Sequence, residues 1–178
     1  MRNDNARWAL SLGLDRPAIQ TAVLTMSIVR TDRQMLISGP IQALLDTAGI
    51  SSAVGWPKPA TGETYAIRLR RDRILVMNGP EIEDGWHDAQ GIAVNDVTDG
   101  YCVIELSGDM AMPILKRGTE IDPADPSNSV VRGFGGYPVM VYAFQTSDRF
   151  RIHVPRTFLE GLWSLIEGYV KSVSTAGP

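Results

Sequence analysis

Val97-Thr98-Asp99-Gly100-Tyr101-Cys102-Val103-Ile104-Glu105-Leu106-Ser107-Gly108-Asp109 is the stretch on which the reading of the fold turns. Tyr101 to Leu106 reads as an alternating strand. Asp99-Gly100 ahead of it is a hairpin signal, because glycine tolerates the positive φ that tight hairpin turns need. Ser107-Gly108 ends the strand, and Asp109 suits the N-cap of a following helix. Val29-Arg30-Thr31-Asp32-Arg33-Gln34-Met35-Leu36-Ile37-Ser38-Gly39-Pro40 reads the same way, with Asp32-Arg33 as a weaker turn and Pro40 suited to a first helical turn. After each Ser-Gly comes a short apolar pattern of helical period: Ile41, Leu44 and Leu45 in one case, Met110, Ile114 and Leu115 in the other. Both close near a glycine, Gly49 or Gly118, as helices often do.

Working outward, the repeat continues. Tyr65 to Leu69, the turn Arg71-Asp72-Arg73, and Ile74 to Met77 read as a second hairpin. Its counterpart runs from Val139 to Phe144, through Thr146-Ser147-Asp148-Arg149, to Phe150–Val154. In that last strand Phe150, Ile152 and Val154 alternate with Arg151 and His153, which predicts one buried face and one wet face with His153 exposed. The order strand–strand–helix–strand–strand thus occurs twice. It predicts an α+β fold of two pseudo-repeated β-β-α-β-β halves with mainly antiparallel sheets, packed about a pseudo-two-fold. The expected domain covers residues 21–172, its halves about 21–90 and 91–172. Residues 1–20 are expected to be a loosely held N-terminal segment and 173–178 a tail.

The clearest helix is the last. Phe158, Leu162, Leu165, Ile166, Tyr169 and Val170 form an apolar stripe, with Glu160, Ser164, Glu167 and Lys171 opposite. Gly161 and Gly168 stand two turns apart on it. They are either tolerated surface glycines or sites where a strand or partner chain approaches closely. Proline-rich segments at 51–63 and 119–128 read as loops.

The chain has 178 residues, 44% of them hydrophobic, enough for a core without staples. A net charge of −3 argues against nucleic acid as the main partner. Arg68, Arg70, Arg71 and Arg73 form the nearest basic cluster, without aromatics beside them for base stacking. The one cysteine, Cys102, fits a reducing compartment. No secretory pattern opens the chain and no stretch reaches the length of a membrane span, so a cytoplasmic location is expected.

The inventory for chemistry is poor. Gly133-Phe134-Gly135-Gly136 precedes Tyr137-Pro138 and a strand, not a helix, so it reads as a backbone turn and not a phosphate cradle. His87, His153 and Cys102 have no zinc spacing. Cys102, in mid-strand, reads as a small buried hydrophobe. Glu81, Glu83, Asp84, Asp88, Asp96 and Asp99 fall in or near turns, where acids serve as caps. No residue is assigned a catalytic, cofactor-binding or metal-binding role. Trp163 is expected in the core, while Trp56 and Trp86, in loops, either close over the core or enter a partner's pocket.

Four stretches, over roughly residues 52–170, carry a resemblance. They are Trp56-Pro57-Lys58-Pro59, Ile74-Leu75-Val76-Met77-Asn78-Gly79-Pro80, Val94-Asn95-Asp96-Val97-Thr98-Asp99-Gly100 through Leu106-Ser107-Gly108, and Val154-Pro155-Arg156-Thr157-Phe158 with Leu162-Trp163 and Leu165. In order and spacing they resemble the gamma subunit of heterotetrameric sarcosine oxidase, a family similar in fold to the folate-binding domain of the glycine-cleavage aminomethyltransferase. Glu81-Ile82-Glu83-Asp84-Gly85-Trp86 departs from the family, which commonly runs Asp-Glu-Trp-Leu there, and residues 1–50 match only in pattern. The resemblance implies a non-catalytic assembly subunit of a flavin-dependent enzyme that oxidatively demethylates an N-methyl amino acid. It implies alpha, beta and delta subunits as partners. FAD, FMN, NAD and tetrahydrofolate would lie in those partners and no cofactor in this chain. The alternative implied by the fold is a stand-alone folate-binding protein or aminomethyl/methyl transferase, for which Asp96 would be the carboxylate gripping the pterin; capping the Asp99-Gly100 region is its structural alternative.

Overall fold

A computed structural model describes residues 14–174. Twelve strands form two six-stranded sheets among these residues. One sheet has the order β1 (Ile19–Gln20), β2 (Thr25–Val29), β9 (Tyr101–Ser107), β12 (Thr146–Pro155), β11 (Tyr137–Phe144), β10 (Val131–Phe134). The other, read in the matching direction, is β7 (Gly85–His87), β8 (Ile92–Asp96), β3 (Gln34–Ser38), β6 (Arg73–Met77), β5 (Tyr65–Arg70), β4 (Ala53–Val54). All pairings are antiparallel except β4 with β5. Exchanging the two halves maps one order onto the other, which is the pseudo-repeat expected from the sequence.

The repeat is built by strand exchange, and here the structure corrects the sequence. Strands β2 and β3 do not pair, nor do β8 and β9. Instead β2 lies against β9 and β8 against β3, so each half gives its first two strands, β1 and β2 or β7 and β8, to the other half's sheet. Asp32-Arg33 and Asp99-Gly100 are therefore crossovers between sheets and not hairpin turns. Gly100 donates its N–H to the Val97 carbonyl at 2.8 Å without adopting positive φ, so the tight turn turns the chain without closing a ladder. True hairpins join β5 to β6 through Arg71-Asp72, β10 to β11 through Gly135-Gly136, and β11 to β12 through Gln145 alone. The Gln145 turn falls ahead of the expected Thr146–Arg149, which belongs to β12. The boundary between halves falls between β6 and β7, not near residue 90.

Ser-Gly marks the same joint twice. Gly39 and Gly108 have φ of +147° and +108°, and their N–H groups bond the carbonyls of Asp72 and Asp148 at 2.9 and 3.1 Å. A Cβ on Gly39 would stand 2.8 Å from the Gly91 oxygen, and one on Gly108 2.6 Å from the Val23 oxygen. Both positive φ and backbone contact demand glycine at these two points.

Helices α1 (Ile41–Ala48), α2 (Ala111–Gly118) and α3 (Leu159–Ser174) cover the outer faces. Helix α1 ends in left-handed Gly49, as expected. The N-cap of α2 is Met110 and not Asp109, and no side chain caps it. Gly118 ends α2 for packing: a Cβ there would stand 2.2 Å from the Phe134 ring. Helices α2 and α3 close the first sheet's outer face over Ile104, Leu106, Val141, Phe150 and Ile152. Helix α1 closes the second over Ile37, Ile74, Val76 and Val94. A third cluster, with Tyr65, Ile67, Leu75, Met77, Met140 and Tyr142, fills the space between the sheets. The layers are helix, sheet, sheet, helix, and each central strand is covered on both faces.

Part of the expected loose N-terminal segment is packed. Leu14 and Ile19 lie against the core, Arg16 pairs with Glu160 and stands 5.5 Å over the Trp163 ring, and Ile19–Gln20 pairs with β2. At the other end Val173 also packs on the core. Residues 1–13 and 175–178 of the expected ends lie outside the described residues.

Candidate functional site

Because both sheet faces are covered, the polar positions of β12 point into the molecule. His153, expected on a wet face, is fully buried. Its neighbours Phe150, Ile152 and Val154 face the helices, and His153 faces the other sheet. The alternation was right; the second face meets protein where water was expected.

Around His153 runs a continuous chain of hydrogen bonds. Gln34, fully buried at the start of β3, directs Nε2 toward the carbonyls of Tyr101 (3.1 Å) and Thr98 (3.4 Å) and the Thr31 hydroxyl (3.1 Å). This orients its Oε1 toward His153 Nδ1, 2.9 Å away. His153 Nδ1 must then carry the proton, leaving Nε2 to accept from the Tyr142 hydroxyl at 2.8 Å. The Tyr142 oxygen accepts from the Tyr65 hydroxyl at 2.7 Å, and Tyr65 accepts from Arg151 Nη1 at 2.8 Å. Arg151 Nε donates to Glu105 Oε2 at 3.0 Å, and Arg149 pairs with Glu105 Oε1 at 2.7 Å. Donation runs one way, from Arg151 through Tyr65, Tyr142 and His153 to Gln34.

Burial, and then the Arg151 charge, push the His153 pKa down to about 3, so the ring is neutral. Burial, then Tyr65, raise the Tyr142 phenol well above its ordinary value. Burial works against the charge of Arg151, but its contacts with Tyr65 and Glu105 outweigh it and its pKa is raised. Arg151 also stacks 3.4 Å over the Phe144 ring. The arrangement ties β3 and β5 of one sheet to β9, β11 and β12 of the other.

The other residues singled out in the sequence scatter. Cys102 is buried among apolar side chains, and burial raises its thiol pKa. His87 is half-buried on edge strand β7, its Nε2 2.8 Å from the Glu83 carbonyl. The exposed Asp96 accepts the Thr98 N–H at 2.8 Å, and bonds from Thr98 lower its pKa; this is the cap role weighed for it. Trp56 closes over the core, stacked on Phe150 with centroids 6.1 Å apart and bonded to the Asp122 carbonyl. Trp163 is in the core. Trp86 is 64% exposed on β7, at the sheet edge. Gly135 and Gly136 form the two-residue turn between β10 and β11, both with positive φ. Among the described residues, no three His, Cys, Asp or Glu side chains gather as a metal site, and no helix is long and apolar enough to cross a membrane.

Sequence reasoning missed Gln34, Tyr65, Tyr142 and Arg151 as a group. The available signal was their placement: Gln34 and Tyr142 sit in largely apolar strands and Tyr65 and Arg151 in mixed ones, a two-sided sandwich covers both faces of all four, and buried polar groups must find one another.

No family model and no curated protein matches the chain. Among solved structures, a chain of the heterotetrameric sarcosine oxidase from Corynebacterium sp. U-96, in complex with pyrrole 2-carboxylate, matches with a TM-score of 0.71 at 17% identity. The match covers 100% of this chain and 98% of that one. The chain has the fold of that component of the heterotetramer.

Proposed function

We propose that this chain is a gamma-type, non-catalytic assembly subunit of a heteromeric, flavin-dependent sarcosine oxidase-like enzyme acting on an N-methyl amino acid. The observation that carries the reading is the end-to-end match: nearly the whole of one polypeptide of a heterotetramer corresponds to the whole of this one. The filled space between the halves supports it, since Gln34, His153, Tyr142 and Tyr65 occupy with mutual hydrogen bonds the place where a ligand between the halves would sit. Exposed Trp86 is the kind of large ring that anchors interfaces. The partners on this reading are alpha, beta and delta subunits, which hold FAD, FMN, NAD and tetrahydrofolate. The cytoplasm is the expected location of such a complex.

The test is co-expression with the alpha, beta and delta subunits of a heterotetrameric sarcosine oxidase from the same genome. Tagged chain should recover the flavin-coloured partners with sarcosine oxidation, and the lone chain should be colourless and inactive. Turnover of sarcosine by the lone chain, or full assembly and activity of the other subunits without it, would end the reading.

A further inference from the structure

The β5–β6 hairpin gathers Arg68, Arg70, Arg71 and Arg73 on a chain whose net charge is −3. Arg73 Nε donates to the Ser38 hydroxyl at 2.8 Å. Among the described residues the side chains of Arg68, Arg70 and Arg71 have no hydrogen-bond or ion-pair partner. Arg16, Arg149 and Arg156 share with Arg68 a buried, unbonded Nε, but each of those three has another nitrogen paired with a carboxylate. Arg68 has none, so its buried Nε stands without a protein acceptor on the wall of a groove. Such a group in a folded protein calls for a missing acceptor.

The groove has two compartments that share Arg70. One, about 290 Å³, is lined by Arg68, Arg70, Arg71, Asn128 and Ser129, the arginines bringing their charge to it. The other, about 200 Å³, is largely apolar, between Leu69, Tyr101, Val131, Pro138 and Met140. Val131, 45% exposed, is one of the large apolar side chains left in solvent. Segment 127–131 forms the wall, tied to β5 by the Val130 N–H to the Arg68 carbonyl and by the Ser129 hydroxyl to the Leu69 carbonyl, at 2.9 and 2.7 Å. The division follows strand geometry: Arg68 and Leu69 point to opposite faces of β5.

We propose that this groove docks an extended segment of a partner polypeptide in which acidic and apolar residues alternate. An extended strand puts successive side chains on opposite sides, so one row of carboxylates meets Arg68, Arg70 and Arg71 while the other row covers Val131, Pro138 and Met140. Guanidinium groups bind carboxylates through paired N–H donors, which gives the contact direction as well as charge. The source of the segment, a partner subunit, rests on the function proposed above; the groove's preference does not.

The experiment uses the full chain and a short fluorescein-labelled peptide in which glutamate alternates with leucine, read by anisotropy. Binding should weaken as salt rises. It should fall at least about tenfold, the equivalent of 1.4 kcal/mol, in Arg70→Glu/Arg71→Glu, whose side chains are exposed and whose fold is checked by circular dichroism. Val131→Asp should weaken it through the apolar side. A polyglutamate peptide should bind more weakly than the alternating one. Equal binding by the charge-reversed variant, or by polyglutamate, would overturn the groove. In the co-expressed complex the same double variant should recover less of the partner subunits. If wild type and variant assemble equally, the groove does not dock the partner. If the peptide binds as expected while no complex forms with wild type, the groove stands and the subunit reading falls.

Discussion

Gln34 Oε1 and His153 Nδ1 stand 2.9 Å apart although 119 residues separate them, and the contact joins the two sheets. The pseudo-repeat shows what is special about it. In β3–β6 Gln34 opposes Met77, and at the equivalent place in β9–β12 Val103 opposes His153. Two positions further on, Leu36 opposes Leu75 in one sheet and Glu105 opposes Arg151 in the other. The halves share a backbone plan but differ where they meet. One supplies mostly apolar side chains there and the other a charged and hydrogen-bonded line.

A neutral buried histidine makes stability fall on the acid side. His153 titrates near 3 in the folded protein and at about 6.5 when unfolded. Between those values the unfolded chain binds the extra proton, so stability rises with pH. From neutral pH downward, each pH unit below about 6.5 should cost up to about 1.4 kcal/mol through this one group until the pH nears 3. Urea unfolding at a series of pH values measures it. A stability unchanged from pH 7 to 4.5 in wild type, or the same acid slope in His153→Met, would contradict the burial described.

The polar line should behave as one unit. His153→Met places there the residue that its counterpart Met77 already is, but it orphans Gln34 Oε1 and takes the acceptor from the Tyr142 hydroxyl. Each orphaned group costs about 1–3 kcal/mol. Gln34→Val, after its counterpart Val103, leaves His153 Nδ1 unbonded at a similar cost. The double variant removes both ends of the contact and should lose less than the sum of the single losses, by about 0.5–3 kcal/mol. Additive losses in a double-mutant cycle would mean that the two side chains do not interact.

The fold was legible because its repeat is written twice in local signals. Ser38-Gly39 and Ser107-Gly108 mark the same joint, and the helical patterns after them need no tertiary context. Strand partners were not legible. Asp99-Gly100 has the chemistry of a hairpin turn, but the decision to cross to the other sheet depends on β2 and β3 being available as partners for β9 and β8. The exposure of His153 was misjudged for the same reason. Period two identifies two faces, and only the packing of the second sheet says that both are dry. Trp56 and Trp86 looked alike in sequence; Phe150 covers one and nothing described covers the other.

Glycines in the helices separate by what surrounds them. Gly168 in α3 has nothing within 4 Å of an added Cβ, so Gly168→Ala should stabilise the protein by about 0.5–1 kcal/mol. Gly161, two turns earlier, would bring a Cβ to 2.3 Å from the Tyr137 hydroxyl, so of the two readings weighed for this stripe close approach by a strand holds for Gly161 and a tolerated glycine for Gly168. Gly118→Ala should cost about 1–3 kcal/mol, because the Phe134 ring it would strike is fully buried and has nowhere to retreat. Thermal unfolding of the single variants gives the order directly: Gly168→Ala above wild type and Gly118→Ala below it. The reverse order would refute the packing.

Trp86 offers a test that separates stability from assembly. Its ring lies on edge strand β7, 64% exposed, with Nε1 donating to Asp88 Oδ1 at 2.5 Å. Glu83, Asp84 and Asp88 surround it in sequence, so a partner pocket that receives it would carry a basic rim. Little apolar area is buried there in the lone chain, so Trp86→Ala should leave its unfolding within about 0.5 kcal/mol of wild type. In the co-expressed complex the same change should weaken retention of the partners by about 2 kcal/mol or more, the usual loss at an anchoring tryptophan. Competition between tagged wild-type and variant chains for limiting partner subunits measures the difference. Equal incorporation would show that the exposed ring plays no part in assembly, and a large loss of stability in the lone chain would show that it belongs to this chain's own packing.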